Sequence, residues 1–370
     1  MKTVIRPALC AVLCLLLAFS LPGCSFLYQE EESSLPAPSP QATPVSTPAP
    51  TASPTPAPTP QPETDEVNLL TGQPGLSRAA VGKRPVAVMV NNIKDSLPQY
   101  GVSEADLLFE LPVEAGITRL MALYGDYTEV PQVCSVRSCR YYFPILAAGY
   151  DAYYVYWGQD ETIATDVLNL LDIHKIDGMA DTYGLFYRDE ERQAQGFAYE
   201  HTGAFNGPGL PQALADNGVR TDLPEHKKDP FFDFASQPRT PGTPCTGLTL
   251  DFSREYYSTF DYNESSKLYY KQHSGEDHRD AHTTKQLCFT NVFVLEADIT
   301  VRDSVGRVDV GWQGGSGWYV SRGGREPITW EKADEYSNIV FYNQEGARLT
   351  VNPGKSYLGF VSPGSADFLF

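Results

Sequence analysis

The alternation of apolar and polar positions divides the chain into four stretches. Residues 8–21 are an apolar run interrupted only by Ser20, and residues 33–62 have no apolar period. From about residue 66, short apolar strands alternate with helical spacings; beyond about 245, only strand-like spacings remain. Residues 85–90 read as a buried strand, and 106–113 and 117–124 as two more, joined by a tight turn at Glu114-Ala115-Gly116. Residues 151–157 form another strand, aromatic at alternate positions. A helix is predicted over 160–171, with Ile163, Val167, Leu170 and Leu171 on one face. A second helix is predicted from near Tyr142, because Pro144 suits only a first turn.

After a Pro-, Gly- and Thr-rich connection at 234–244, strands are predicted over 247–252, 256–262, 267–272, 289–297, 305–312, 317–321, 327–330, 339–342 and 357–361. Turns are expected at 343–346 and 352–355. The resulting fold class is α+β: a mixed α/β amino-terminal domain over 66–233, then a mostly antiparallel β domain over 245–370.

Lys2 and Arg6 precede the first apolar run, which is too short for a comfortable membrane span and ends in Leu21-Pro22-Gly23-Cys24. Residues 1–23 therefore read as a secretory signal. A Cys directly after a small residue resembles the lipobox of bacterial lipoproteins. That resemblance implies cleavage before Cys24 and lipidation of its thiol. No later run of 18 apolar residues exists to provide a transmembrane anchor.

Residues 24–65 are then a lipidated Cys and a linker. Positions 33–62 hold eleven prolines and no charge, which favours a polyproline-like spacer reaching about 90 Å if fully extended. The expected location is the extracytoplasmic face of the cell membrane, with the membrane as partner through the lipid anchor. The formal net charge of −18 repels nucleic acid, so no nucleic-acid partner is expected. No cofactor is implied.

Candidate chemistry gathers in a few places. Asn91 and Asn92 close the first strand, Glu110 lies within an apolar strand, Glu114 is in the turn, and Thr118 and Arg119 open the next strand. Arg137, Ser138 and Arg140 precede the predicted helix, where Ser138 is placed to cap it. The three arginines could form an anion pocket closed by Glu110 or Glu114. The plainer expectation is that they neutralise those glutamates as structural ion pairs.

His201 is a candidate general base or ligand donor. His273, His278 and His282 crowd together with Glu276, Asp277 and Asp280. His278 and Asp280 are the metal-ligand candidates there, although a solvated polar loop is the plainer expectation. Trp312, Trp318, Tyr319 and Trp330 could stack on sugar rings, but such residues also fill small β cores. Outside the leader and Cys24, four cysteines remain; Cys134–Cys139 and Cys245–Cys288 are the simplest pairing in an exported chain. Cys139 beside Arg140 is also a conceivable reactive thiol.

Several strings resemble the YerB-like family of bacterial lipoproteins. They are residues 84–92, Gly116-Ile117-Thr118-Arg119, Val136-Arg137-Ser138-Cys139-Arg140, residues 327–332 and residues 352–357. The resemblance spans about 68–362 and implies a two-domain extracytoplasmic module of unknown biochemical function. This chain departs from the family's pattern in having Cys134-Ser135 where Gly-Pro is usual, Cys139 for Ala, and Thr202 for the Asn after His201. Of the family's Pro-His-x-Asp, His278 and Asp280 remain.

Three functions follow as alternatives. The first is a non-catalytic envelope module binding a wall component or wall-synthesis protein through the groove near Asn91, Arg119, Arg137 and Arg140. The second is an envelope hydrolase or transferase acting on peptidoglycan or another glycan, with His201 and Glu110 or Glu114 in acid–base roles. The third is a metal- or solute-binding lipoprotein using the His278 loop.

Overall fold

A strand from near the carboxyl terminus, Ser356–Val361, lies between strands from both halves of the chain. It pairs in parallel with Leu107–Pro112 on one side and with Asn291–Glu296 on the other. All six of its residues are buried, as expected of a parallel strand with both faces covered. The computed structural model describes residues 65–370. The leader, Cys24 and all but the last residue of the 24–65 linker segment lie outside the described residues.

The sheet built around this strand has eleven strands. Beyond Leu107–Pro112 it continues through Thr118–Tyr124, Val86–Asn91, Tyr153–Tyr156 and His174–Asp177. Beyond Asn291–Glu296 it continues through Gly314–Ser321, Gly324–Glu331 and Thr243–Pro244, with Val340–Tyr342 also on Gly324–Glu331. The hairpin at Glu114–Gly116 forms as the sequence predicts. The two long segments joined by residues 235–242 thus share hydrogen bonds across one sheet, and the described residues fall in one compact unit.

Period-two alternation sends each strand's side chains to opposite faces. Ala87, Met89, Leu107, Phe109, Met121 and Leu123 enter one core, which is closed by the helix Tyr142–Gly149. Val86, Val88, Val90, Leu108, Leu120 and Ala122 enter the other. That second core is covered by an antiparallel sheet ordered Glu276–Asp277, Leu268–His273, Tyr257–Asn263, Gly247–Asp251 and Ala366–Leu369, with Cys288–Phe289 on Leu268–His273. Full burial of a side chain such as Phe109, at 0% exposure, contributes about 1.5–3 kcal/mol.

Some expectations need correction. The helix Ile163–Leu170 buries Ala164 and Leu168, while Leu170 is 82% exposed. Its buried stripe is Ala164, Leu168 and Leu171, because packing takes the row with spacings of four and three next to the predicted one. Ser138 caps nothing: the residue preceding the Tyr142–Gly149 helix is Tyr141, with no side-chain cap.

The cysteines do not pair. Cys134, Cys139, Cys245 and Cys288 are free thiols; Cys134 and Cys288 lie on strands of different sheets. The Cys134 Sγ donates to the His201 carbonyl at 3.7 Å and the Cys245 Sγ to the Gly247 carbonyl at 3.3 Å. Burial pushes the Cys139 thiol up to about 12, so it is no reactive thiolate. Among the described residues, no helix is long and apolar enough to cross a membrane.

Candidate functional site

Strand alternation decides which candidate residues meet. Asn91 and Arg119 are register partners and lie on the helix-covered face. Glu110, Thr118 and Asn92 belong to the opposite face, toward the second sheet. An arginine pocket closed by Glu110 is therefore not formed.

Glu110 is fully buried and accepts from five groups. Its Oε1 receives Asn92 Nδ2 at 3.0 Å and Thr118 Oγ1 at 2.8 Å. Its Oε2 receives Ser258 Oγ at 2.9 Å and Tyr357 OH at 2.8 Å, with Lys271 Nζ at 3.3 Å. Burial favours the protonated acid, but the Lys271 charge and the surrounding donors outweigh it and hold the carboxyl below its ordinary range.

Lys271, at 0% exposure, extends the network. Its Nζ lies 3.1 Å from His278 Nδ1, and His278 Nε2 lies 2.9 Å from Gln99 Oε1. An ammonium donating to Nδ1 leaves the His278 proton on Nε2, pointing at Gln99. Gln99 Nε2 in turn donates to the Asn91 carbonyl at 2.6 Å. Burial and the Lys271 charge keep His278 neutral, well below the usual imidazole range.

His278 and Asp280 are thus buried, not parts of a solvated loop. The segment folds back under the edge of the second sheet, where Gln99 and Ser103 meet it. Asp280 organises its own turn, accepting from the backbone N–H groups of Ser103, His282 and Thr283 at 3.0, 3.0 and 3.1 Å. Both ring nitrogens of His278 have protein partners. Among the described residues, no group of three or more potential ligands is placed to hold a metal ion.

On the other face Arg140 and Arg119 pair with Glu114. Arg140 grips Glu114 with both prongs of its fork, Nε at 2.7 Å from Oε2 and Nη2 on Oε1. Arg119 Nη1 donates to the Ser138 carbonyl at 2.6 Å, and its Nη2 lies 3.9 Å from Glu114. Burial opposes ionisation of Glu114, but Arg140 and then Arg119 outweigh it and push the carboxyl down to about 2. Burial, with the Arg140 charge alongside, lowers Arg119 to about 10.

His201 sits beside a small sheet of Gln132–Cys134, Gly203–Asn206 and Phe186–Arg188. Its Nδ1 is 3.2 Å from Asn91 Nδ2. Burial, and next the Arg137 charge, lower its affinity for a proton. Its ring has neither Glu110 nor Glu114 as a partner.

Arg137 is half-buried and donates to the Glu200 carbonyl at 3.3 Å. Nearby, Arg188 lies over the rings of Trp157 and Tyr199, 4.2 and 4.1 Å from their centroids. Neither Arg137 nor Arg188 has a carboxylate ion-pair partner within 4 Å among the described residues. The aromatic candidates divide: Tyr319 and Trp330 are buried in the core, whereas Trp312 and Trp318 are half-buried.

Sequence reading missed Gln99, Ser258, Lys271 and Tyr357. A signal was present: along Leu268–His273, Tyr269, Lys271 and His273 share the inward face. Period two alone places that lysine and that histidine inside.

Comparison with known proteins agrees with this architecture. Residues 70–219 match the family model described as the N-terminal domain of a protein of unknown function (DUF3048), and residues 248–358 match its C-terminal domain. In Bacillus subtilis (strain 168), "Putative lipoprotein YerB" is 26% identical over 291 residues, spanning 75% of this chain and 81% of that protein. The crystal structure of YerB protein from Bacillus subtilis superposes with a TM-score of 0.72 at 24% identity, covering 82% of this chain and all of that one. At that identity the structural likeness is one of fold. With both halves matched in order, the chain belongs to the YerB-like, DUF3048 family.

Proposed function

We propose that this protein is a lipid-anchored, non-catalytic binding module on the extracytoplasmic face of the cell membrane, holding a wall component. Anchoring is supported by the basic, apolar leader ending at Cys24 and by the lipoprotein name of the Bacillus relative.

The observation that carries the binding role is the surface around Arg137. Two guanidiniums without carboxylate partners stand beside Trp157 and the 64% exposed Tyr199, in a chain of net charge −18. Cationic forks next to aromatic faces suit an acidic glycan or its peptide, with the rings stacking and the guanidiniums pairing with carboxylates. The acid–base candidates, in contrast, are engaged internally: Glu110 by five donors, Glu114 by Arg140, and His201 by Asn91.

Co-sedimentation of the full-length protein with purified cell-wall sacculi tests this. Arg137→Ala and Tyr199→Ala should each weaken binding by about tenfold, some 1.4 kcal/mol, without lowering the unfolding temperature. Unchanged binding in both variants would refute the assignment. Release of soluble wall fragments that disappears in His201→Ala would replace it with a hydrolase. Cys24→Ser should leave the membrane fraction.

A further inference from the structure

His273 ends the inward row of its strand but does not join the buried network. It is 2% exposed, yet neither ring nitrogen has a hydrogen-bond partner. Its neighbours are rings: Tyr256 at 5.7 Å and His278 at 5.6 Å between centroids. Leaving a buried imidazole unpaired is unfavourable, and a polar group supplied from outside the fold would relieve it.

His273 also forms part of the wall of a pocket of about 460 Å³, within the range of small-molecule sites. Lys94, Leu97 and Pro98 line it on one side, and Glu276 and Asp277 line it from the edge strand of the second sheet. Much of this lining is apolar.

The charges on the rim narrow the occupant. Asp277 is paired with Arg279 at 2.6 Å and also accepts from Gln286, so these two charges cancel. That leaves one cation and one anion, Lys94 and Glu276. Both are exposed, and neither has an ion-pair partner within 4 Å among the described residues. Lys94 Nζ lies 5.5 Å from the Tyr256 ring centroid, on the ring that also packs against His273. Burial, then the charge of Lys271, hold His273 down at about 4. The ring is therefore neutral and offers one donor and one acceptor.

We propose that this pocket binds a small zwitterion, an amino acid or short peptide with free termini. Its carboxylate meets Lys94 and, once the ring turns toward the pocket, the His273 N–H; its ammonium meets Glu276, and its side chain lies on Leu97 and Pro98. The Glu110–Lys271–His278–Gln99 network stands behind His273 and fixes the wall against which the ligand rests. This site is separate from the Arg137 surface and stands or falls independently of it.

Titration calorimetry of the full-length protein with Leu-Ala dipeptide, its N-acetyl form and its C-terminal amide tests the assignment. The free dipeptide should bind with a Kd of about 1 mM or tighter, and each blocked form about tenfold more weakly. Lys94→Met should abolish discrimination against the amide, and Glu276→Gln discrimination against the acetylated form. Both positions are exposed, so these variants keep the fold. His273→Phe should abolish binding of all three, while Arg137→Ala should change none. Equal binding of the three dipeptides, no binding of any, or unchanged discrimination in Lys94→Met and Glu276→Gln would overturn the proposal.

Discussion

Glu110 and Lys271 are both at 0% exposure, and each makes the other tolerable in a medium that disfavours charge. Replacing one partner leaves the second ion buried without compensation. Lys271→Met should therefore lower the unfolding free energy by about 3–5 kcal/mol in urea titrations. Adding Glu110→Gln to it should restore part of that loss; a double variant showing the full sum of the two single losses would mean that the pair is not coupled. Glu114 gives a prediction with a pH sign. Its folded carboxyl is held at about 2, below the ordinary 4.5, so the unfolded chain takes up the proton first. The stabilisation is complete above about pH 4.5 and is lost as pH falls toward 2. Glu114→Gln should flatten that part of the stability profile, and an unchanged slope would count against the Arg140 pairing.

At the level of elements, the Ser356–Val361 strand is closely held between its neighbours. A Cβ added at Gly359 would come within 2.6 Å of the Leu250 side chain in the covering sheet and 2.9 Å of Tyr357. Gly359→Ala should cost about 1–3 kcal/mol by overpacking, read from the urea midpoint at constant slope; a neutral result would show that the two sheets can move apart freely. The strands themselves were legible in the sequence, because alternation and turn residues are local signals. Their neighbours were not. Nothing within residues 356–361 says that they will lie between residues 107–112 and 291–296, since a parallel partner carries no hairpin to announce it. The same limit hid the site. Asn91, Arg119 and His201 were visible as polar residues beside apolar strands, but the separation of Glu110 from Arg119 follows from face, and the burial of His278 from a long-range contact with Gln99.

At the largest scale, hydrogen bonds between the two halves of residues 65–370 tie them into one sheet, which should unfold as one cooperative body. Heating should give a single calorimetric transition with equal calorimetric and van't Hoff enthalpies; two resolved transitions would contradict the shared sheet. A chain ending at residue 244 would lack the parallel partner of Leu107–Pro112 and the sheet that covers Val88, Leu108 and Leu120. It should remain a collapsed, dye-binding state without native near-ultraviolet dichroism.

Synthesis adds a matter of timing. The ribosome makes Leu107–Pro112 long before its parallel neighbour Ser356–Val361, so one flank of that strand stays bare while everything between them is being made. A bare flank recruits other strands, including those of sibling molecules. Premature stops anywhere between Pro112 and Ser356 are thus expected to yield aggregates or proteolytic debris instead of a shorter working protein, and a frameshift just before Ser356 should be tolerated as poorly as one in the first strands.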